Sequence, residues 1–173
     1  DEQPLTCFTL AGNVTDITFA KAEKVSTYPT SWDGISQMTA RLYQVNKENN
    51  NYLSLPLIAF DDVRKVQLSM KAQPQTTGWQ YWEVGVMSDP DDPSTFVAIK
   101  KDSIEYNSST MSTRPWGDFS YTFEKYQGDE AGNIGRYIAV HLMNSIGSSG
   151  SLSTGTLFLD EITVGELITC PAP

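Results

Sequence analysis

Polar and apolar residues alternate along most of the chain, and short polar segments separate the alternating runs. Between residues 63 and 72, Val66, Leu68 and Met70 fall on one face, and the residues between them are polar. A period of two is typical of a β-strand with one buried face. The same alternation recurs in residues 79–87, 116–126, 136–143 and 156–164. No window of a dozen residues has the spacing of an amphipathic helix, so the pattern predicts an all-β protein.

Residues 79–100 are predicted to form one antiparallel hairpin. Their middle, residues 88–93, holds two prolines and three aspartates, which are turn-forming residues. In the first strand, Tyr81 and Glu83 point away from the face that carries Trp82. Strands of five to ten residues joined by polar turns are typical of an antiparallel sandwich. We therefore expect the whole chain, residues 1–173, to form a single two-sheet jelly-roll domain, a length that can bury a sizeable core.

The composition excludes several classes of partner. Twelve Lys and Arg against 21 Asp and Glu give a formal net charge of −9. Nucleic acid and anionic lipid both require a basic surface, so neither is expected as the main partner. No apolar run approaches the length of a membrane span, and no direct membrane insertion is expected. The first residues lack the basic start and apolar stretch of a signal peptide, which indicates a mature or excised module of a larger chain.

Cys7 and Cys170 are the only cysteines, and they lie near the two ends of the chain. Domain termini often lie close together, so a disulfide between these two residues is geometrically feasible. Such a bridge would place the protein in an oxidising compartment, extracellular or at the cell surface. Two unrelated buried thiols are the alternative. Zinc is excluded, because two distant cysteines and the single His141 cannot supply four ligands.

Several segments resemble the MAM-like, concanavalin-type jelly-roll modules of bacterial surface proteins, a group that includes the cleaved-adhesin domains. The most specific segment runs from Glu83 to Phe96 and begins Glu-Val-Gly-Val-Met-Ser-Asp-Pro. Further similar segments follow in the same order as in that group, at residues 31–33, 52–57, 66–72, 126–128, 136–140 and 157–164. The resemblance implies a non-catalytic module of a secreted or surface-anchored chain, concerned with adhesion or glycan binding. The first 25 residues match the group poorly.

Aromatic residues outside the apolar faces are the candidate ligand contacts. Sugar rings stack on Trp and Tyr side chains, and neighbouring carboxylates bind their hydroxyl groups. Four aromatic residues and one carboxylate are the candidates: Trp32, Trp79, Tyr81, Trp116 and Glu83. Large sandwiches also use such rings to close the edges of the core, which is the structural alternative. We expect a carbohydrate-binding module, and a surface for adhesion to or assembly with a cell-surface protein is the alternative function.

A glycoside hydrolase is the second alternative, because jelly rolls can carry two carboxylates across a cleft. Glu83 would be the first carboxylate, and Asp118 or Glu124 on a neighbouring strand the second. No Gly-x-Ser-x-Gly turn accompanies His141, and the chain has no glycine-rich phosphate loop. We therefore expect the protein not to be an enzyme.

Asp160 is the one candidate metal ligand. Its spacing from Phe158 and Ile162 puts it on the predicted core face, where a carboxylate must be paired, hydrogen-bonded or bound to a cation. The resemblance implies a structural calcium ion near the last strand, as the only cofactor. Calcium takes six to eight oxygens, and Asp16 or Glu23 could supply further ones. The alternative is that Asp160 accepts backbone hydrogen bonds without a metal.

Overall fold

The computed structural model describes residues 9–12, 40–43 and 51–167. These residues form eleven strands and two short 3-10 turns, Val63–Lys65 and Pro93–Thr95. In chain order the strands are β1 (Thr9–Gly12), β2 (Ala40–Tyr43), β3 (Asn51–Ser54), β4 (Val66–Pro74), β5 (Gly78–Met87), β6 (Val97–Tyr106), β7 (Gly117–Thr122), β8 (Tyr137–Leu142), β9 (Ser145–Ile146), β10 (Leu152–Ser153) and β11 (Thr156–Glu166). The all-β prediction is therefore confirmed.

The described strands pair into two antiparallel sheets. The larger sheet has the order β1-β3-β8-β5; β5 also pairs with β6 along its length and with β9 at Trp79, and β10 pairs with β9. The smaller sheet has the order β2-β11-β4-β7. The predicted hairpin of residues 79–100 corresponds to β5 and β6, although β6 extends to Tyr106. The two-sheet antiparallel sandwich is thus confirmed.

In β4, β5, β7 and β8, the space between the sheets is filled by the apolar faces that the alternation predicted. Residues from both sheets share one buried cluster, including Leu68, Met70, Trp82, Val84, Phe123, Ile138, Val140, Leu142, Leu157 and Leu159. Each strand presents its polar residues on the outer surface of the sandwich because side chains alternate between the two faces of a sheet. This geometry directs the residues of β5 that alternate with Trp82 and Val84, and their neighbours on β6 and β8, to the outer face of the larger sheet.

A hydrogen bond between two buried aromatic side chains joins the two sheets through the core. The indole N–H of Trp82 on β5 donates to the hydroxyl oxygen of Tyr121 on β7 at 2.9 Å, and both side chains are buried. Phe119 lies edge-on to Trp82, with the ring centroids 4.8 Å apart. The apolar face that holds these rings is the reason why the opposite faces of β5 and β7 point to solvent.

Candidate functional site

Two neighbouring strands, β5 and β6, place ring and polar side chains side by side on the outer face of the larger sheet. The register sets three pairs opposite each other: Trp79 with Glu105, Tyr81 with Ser103, and Glu83 with Lys101. Directly opposed residues of antiparallel strands have Cβ atoms about 5 Å apart, close enough to act on one ligand. We call these six residues the ring strip.

Trp79 and Tyr81 give the ring strip its aromatic surface. The two residues are separated by one position on β5, so they share a face; their ring centroids lie 6.4 Å apart and their planes differ by 25°. Trp79 is 41% exposed, which is unusual for so large an apolar side chain. β5 begins at Gly78, directly before Trp79. Only glycine fits this position, because its φ is 107° and the backbone oxygen of Ile146 lies where a Cβ would be.

Glu83 is held by a histidine from the adjacent strand. His141 Nδ1 lies 3.0 Å from Glu83 Oε2. The imidazole is buried and stacks on Tyr52 with ring centroids 4.3 Å apart and an angle of 11°. Burial, and then the charge of Glu83, raise the pKa of Tyr52, so its hydroxyl stays protonated. The contact with the buried His141 fixes the orientation of the Glu83 carboxylate, while the Glu83 side chain remains 24% exposed.

Rings fill the outer face beyond Glu83. Phe96 lies 5.1 Å from Tyr52 and 5.7 Å from His141, centroid to centroid. It can approach the sheet because Gly85 has no side chain: a Cβ there would meet the Phe96 ring at 2.7 Å. This end of the face is consequently closed, and the exposed aromatic surface is at the Trp79 end.

The remaining sequence-predicted residues are placed elsewhere. Trp116 precedes β7 of the smaller sheet and is half-buried, and no ring contact joins it to Trp79 or Tyr81. Trp32, Cys7 and Cys170 lie outside the described residues, so the third ring and the disulfide stay predictions. Of the five predicted ligand contacts, the structure brings together Trp79, Tyr81 and Glu83.

Sequence reasoning missed the contribution of β6 to the ring strip. Counting along an unbroken hairpin from the pair Val86–Val97 would place Lys100 opposite Glu83. A register shift between Val84 and Gly85 instead places Lys101 there. A β-bulge inserts one residue on one strand, and every side chain beyond it changes face. The one signal in the sequence is Gly85, because a glycine inside a strand often marks a bulge or a close contact. It does not specify which residues of the partner strand face Glu83.

The second carboxylate of the hydrolase alternative is not near Glu83. Asp118 belongs to β7 of the smaller sheet, where it pairs with Lys71 on the outer face. Glu124 follows the same strand. Glu83 lies on the outer face of the larger sheet, so both sheets separate it from Asp118. The prediction that Asp118 could complete a carboxylate pair is wrong, because the two strands belong to different sheets.

Asp160 is buried, with 4% exposed, but it does not lie on the core face. Leu159 points into the core, so Asp160 points to the outer face of the smaller sheet, opposite Lys71 on β4. A β-bulge follows, with Glu161 at a φ of 47°, and it returns Ile162 to the core side. The predicted placement of Asp160 on the core face is wrong, because the bulge breaks the alternation on which it depended.

Asp160 lies among polar groups that form hydrogen bonds and ion pairs. Its Oδ1 accepts the backbone N–H of Glu161 at 2.9 Å, and the Lys71 ammonium group contacts the carboxylates of Asp118 and Glu161. In the part of the chain that the structure describes, no group of three or more His, Cys, Asp or Glu residues could hold a metal ion. Asp16 and Glu23 lie outside that part. A calcium ion at Asp160 therefore stays a prediction.

No helix in residues 9–12, 40–43 and 51–167 is long and apolar enough to cross a membrane.

No protein-family model and no curated protein sequence matches the chain. Among solved structures, the chain is similar to the K1 cleaved adhesin domain of Lys-gingipain from Porphyromonas gingivalis W83. The TM-score is 0.60 at 16% identity, covering 93% of this chain and 91% of that one. The chain has the fold of a cleaved adhesin domain. The resemblance found in the sequence is thereby confirmed. At 16% identity, the similarity shows a shared fold.

A second solved structure, described as a CBM4 structure, has the same architecture. Its TM-score is 0.50 at 10% identity, and the alignment covers 93% of this chain and 95% of that one. The sandwich described above is therefore shared with adhesin and carbohydrate-binding modules.

Proposed function

We propose that this chain is a non-catalytic carbohydrate-binding module and that the ring strip is its binding surface. The observation that carries the proposal is an exposed Trp79 beside Tyr81, with nearly parallel rings, on a sheet face that also presents carboxylate and hydroxyl groups. Ligand sites typically combine aromatic surface with a few placed polar groups. The architecture shared with a CBM4 structure and a cleaved adhesin domain supports the same class of function.

The geometry of the ring strip gives its aromatic and polar side chains different roles in binding. The faces of Trp79 and Tyr81 would stack against the apolar faces of successive sugar rings. Glu83, held by His141 at 3.0 Å, would accept hydrogen bonds from sugar hydroxyls without first losing rotamer freedom. Ser103 and Glu105 supply further hydrogen-bonding groups on the adjacent strand.

An extracellular or cell-surface location fits this function. The K1 domain to which the fold is similar is a cleaved adhesin domain of Lys-gingipain. A single module with one open ring strip should bind weakly to moderately, and linked neighbouring domains would raise the avidity. The glycan ligand and the predicted disulfide both belong to such a setting.

The experiment is a glycan array probed with the 173-residue chain, followed by titration of the best ligand. Trp79→Ala should weaken binding at least about tenfold, because a central aromatic contact dominates the energy of small interfaces. Ile134→Ala is the matched control, since Ile134 is 49% exposed but lies in the turn before β8, away from the ring strip. Equal affinities of the Trp79→Ala variant and the wild type for the best ligand would contradict the proposed surface.

A protein-binding function is the second candidate, and an apolar groove favours it. Residues 55–60 and two side chains of β11, Ile162 and Val164, line a cavity of about 300 Å³. Leu57 is 52% exposed at this groove. Exposed apolar patches of this kind mark protein interaction sites. An array without any bound glycan, together with loss of cell adhesion in the Leu57→Asp variant and not in Trp79→Ala, would favour this second function.

A further inference from the structure

Lys101 is a charged member of the ring strip that has no anionic partner among the residues that the structure describes. Its ammonium group lies 5.4 Å from the centroid of the Tyr81 ring. None of the ion pairs among residues 51–167 includes Lys101. The side chain is exposed and lies beside the aromatic surface that the proposed function assigns to sugar binding.

The absence of an ion pair is unexpected from the register. Lys101 and Glu83 are directly opposed across β5 and β6, a position at which opposite charges ordinarily pair. Instead, the carboxylate of Glu83 turns towards β8 and meets His141 at 3.0 Å, while the ammonium group of Lys101 turns over Tyr81. The buried His141, stacked on Tyr52, keeps the carboxylate on that side.

We propose that the ring strip binds glycans that carry an anionic group on a sugar ring, and that Lys101 is the contact for that anion. This inference rests on the proposed carbohydrate-binding function and names its ligand class. A sugar stacked on Tyr81 brings its ring substituents next to the Lys101 ammonium group, which exchanges a weak cation–π contact for a charge-assisted hydrogen bond. A uronate carboxylate and a sulfate ester both provide the required oxygen atoms.

The overall charge of the chain limits which anionic glycans fit. With a net charge of −9, the protein repels densely charged polymers at long range. The attraction therefore comes from the single short-range contact at Lys101. At the other end of the ring strip, Glu105 opposes Trp79 and disfavours a second anion there. The preferred ligand is accordingly a glycan in which acidic residues alternate with neutral ones.

The test compares matched oligosaccharides that differ in charge alone. Uronate-containing oligosaccharides of galactose, mannose and glucose configuration are titrated into the full chain beside their carboxyl-reduced, neutral products. A third arm uses 6-O-sulfated oligosaccharides of the same backbones. The best-binding acidic member should bind about tenfold more tightly than its neutral product, the size expected for one hydrogen bond to a charged group.

Variants of the two adjacent lysines locate the effect. Lys101→Gln should abolish the difference between acidic and neutral ligands, and Lys101→Arg should retain it. Lys100→Gln removes the same charge from an exposed neighbour that opposes Val84, and it should keep the preference. Similar gains from carboxylate and sulfate would support a general anion contact, and a gain from carboxylate alone would support a uronate site.

Three results would overturn the inference. Equal binding of acidic and neutral partners, or an acid preference that survives Lys101→Gln, would remove the role of Lys101 but leave the carbohydrate-binding function intact. No binding to any oligosaccharide would reject the inference and the proposed function together.

Discussion

Asp129 fixes the turn between β7 and β8 through hydrogen bonds to its carboxylate. It accepts from the hydroxyl of Ser88 at 2.6 Å, and from the backbone and side-chain amides of Asn133 at 2.8 and 3.0 Å. These donors, Ser88 first, lower the pKa of Asp129 to about 2 from an ordinary value of 3.8. The bonds join the turn to the end of β5, since Ser88 follows that strand.

The lowered pKa predicts how stability depends on pH. A carboxylate that is more acidic in the folded state stabilises the fold above its ordinary pKa, and this contribution is lost as the pH falls towards 2. Asp129→Asn should therefore lower the unfolding midpoint at pH 6 and have a much smaller effect near pH 2. Urea unfolding measured at several pH values checks this. The neighbouring Glu130→Gln is the control, and an Asp129→Asn effect that is constant over this range would contradict the assignment.

The bond between Trp82 and Tyr121 joins the two sheets inside the core. Burial raises the pKa of Tyr121, so its hydroxyl remains neutral. The oxygen of this hydroxyl accepts the hydrogen bond from the indole N–H of Trp82. Tyr121→Phe should destabilise the fold by about 1–3 kcal/mol, because the buried N–H of Trp82 loses its acceptor. Chemical denaturation measures the change in the free energy of unfolding.

A double-mutant cycle separates this bond from packing. In a Trp82→Phe background there is no indole N–H to leave unpaired. Tyr121→Phe should then cost clearly less than it does in the wild type. The same cost in both backgrounds would show that the bond contributes nothing to stability.

At the scale of elements, the β5–β6 hairpin depends on Gly85. Phe96 packs over this position and the carbonyl of Val97 lies directly beside it, so no Cβ can be accommodated. Gly85→Ala should destabilise the protein by about 1–3 kcal/mol or more, as overpacking in a closed site does. Gly165→Ala, where no atom lies within 4 Å, should stay within about 0.5 kcal/mol of the wild type. Equal thermal unfolding midpoints for the two variants would contradict this account of the hairpin.

The hairpin also shows how far the sequence could predict the site. The alternation placed Tyr81 and Glu83 together on one face of β5, and the structure agrees and adds Trp79 to that face. The bulge next to Gly85 shifted the partner strand by one residue, so Lys101 and not Lys100 faces Glu83. His141 lies 58 positions from Glu83 in the chain, and only the pairing of β5 with β8 brings the two side chains together.

At the scale of the whole molecule, the disulfide between Cys7 and Cys170 is a further prediction. A bridge that closes nearly the whole chain should contribute roughly 4–5 kcal/mol by restricting the unfolded state. Mass spectrometry after alkylation of the denatured, unreduced protein should show two unmodified cysteines, and reduction should lower the unfolding midpoint. Alkylation of both residues without a reductant would reject the bridge.

The sequence by itself determined most of the long strands and the buried side of β4, β5, β7 and β8, because side-chain direction in a strand is a local property with a period of two. It also determined the fold class and the ring pair on β5. The tertiary structure decided which strands are neighbours, where the bulges fall and which face Asp160 occupies. Strand pairing joins residues distant in the chain, and one inserted residue reverses every side chain beyond it, so the alternation alone could not specify the partners of Glu83 and Lys101.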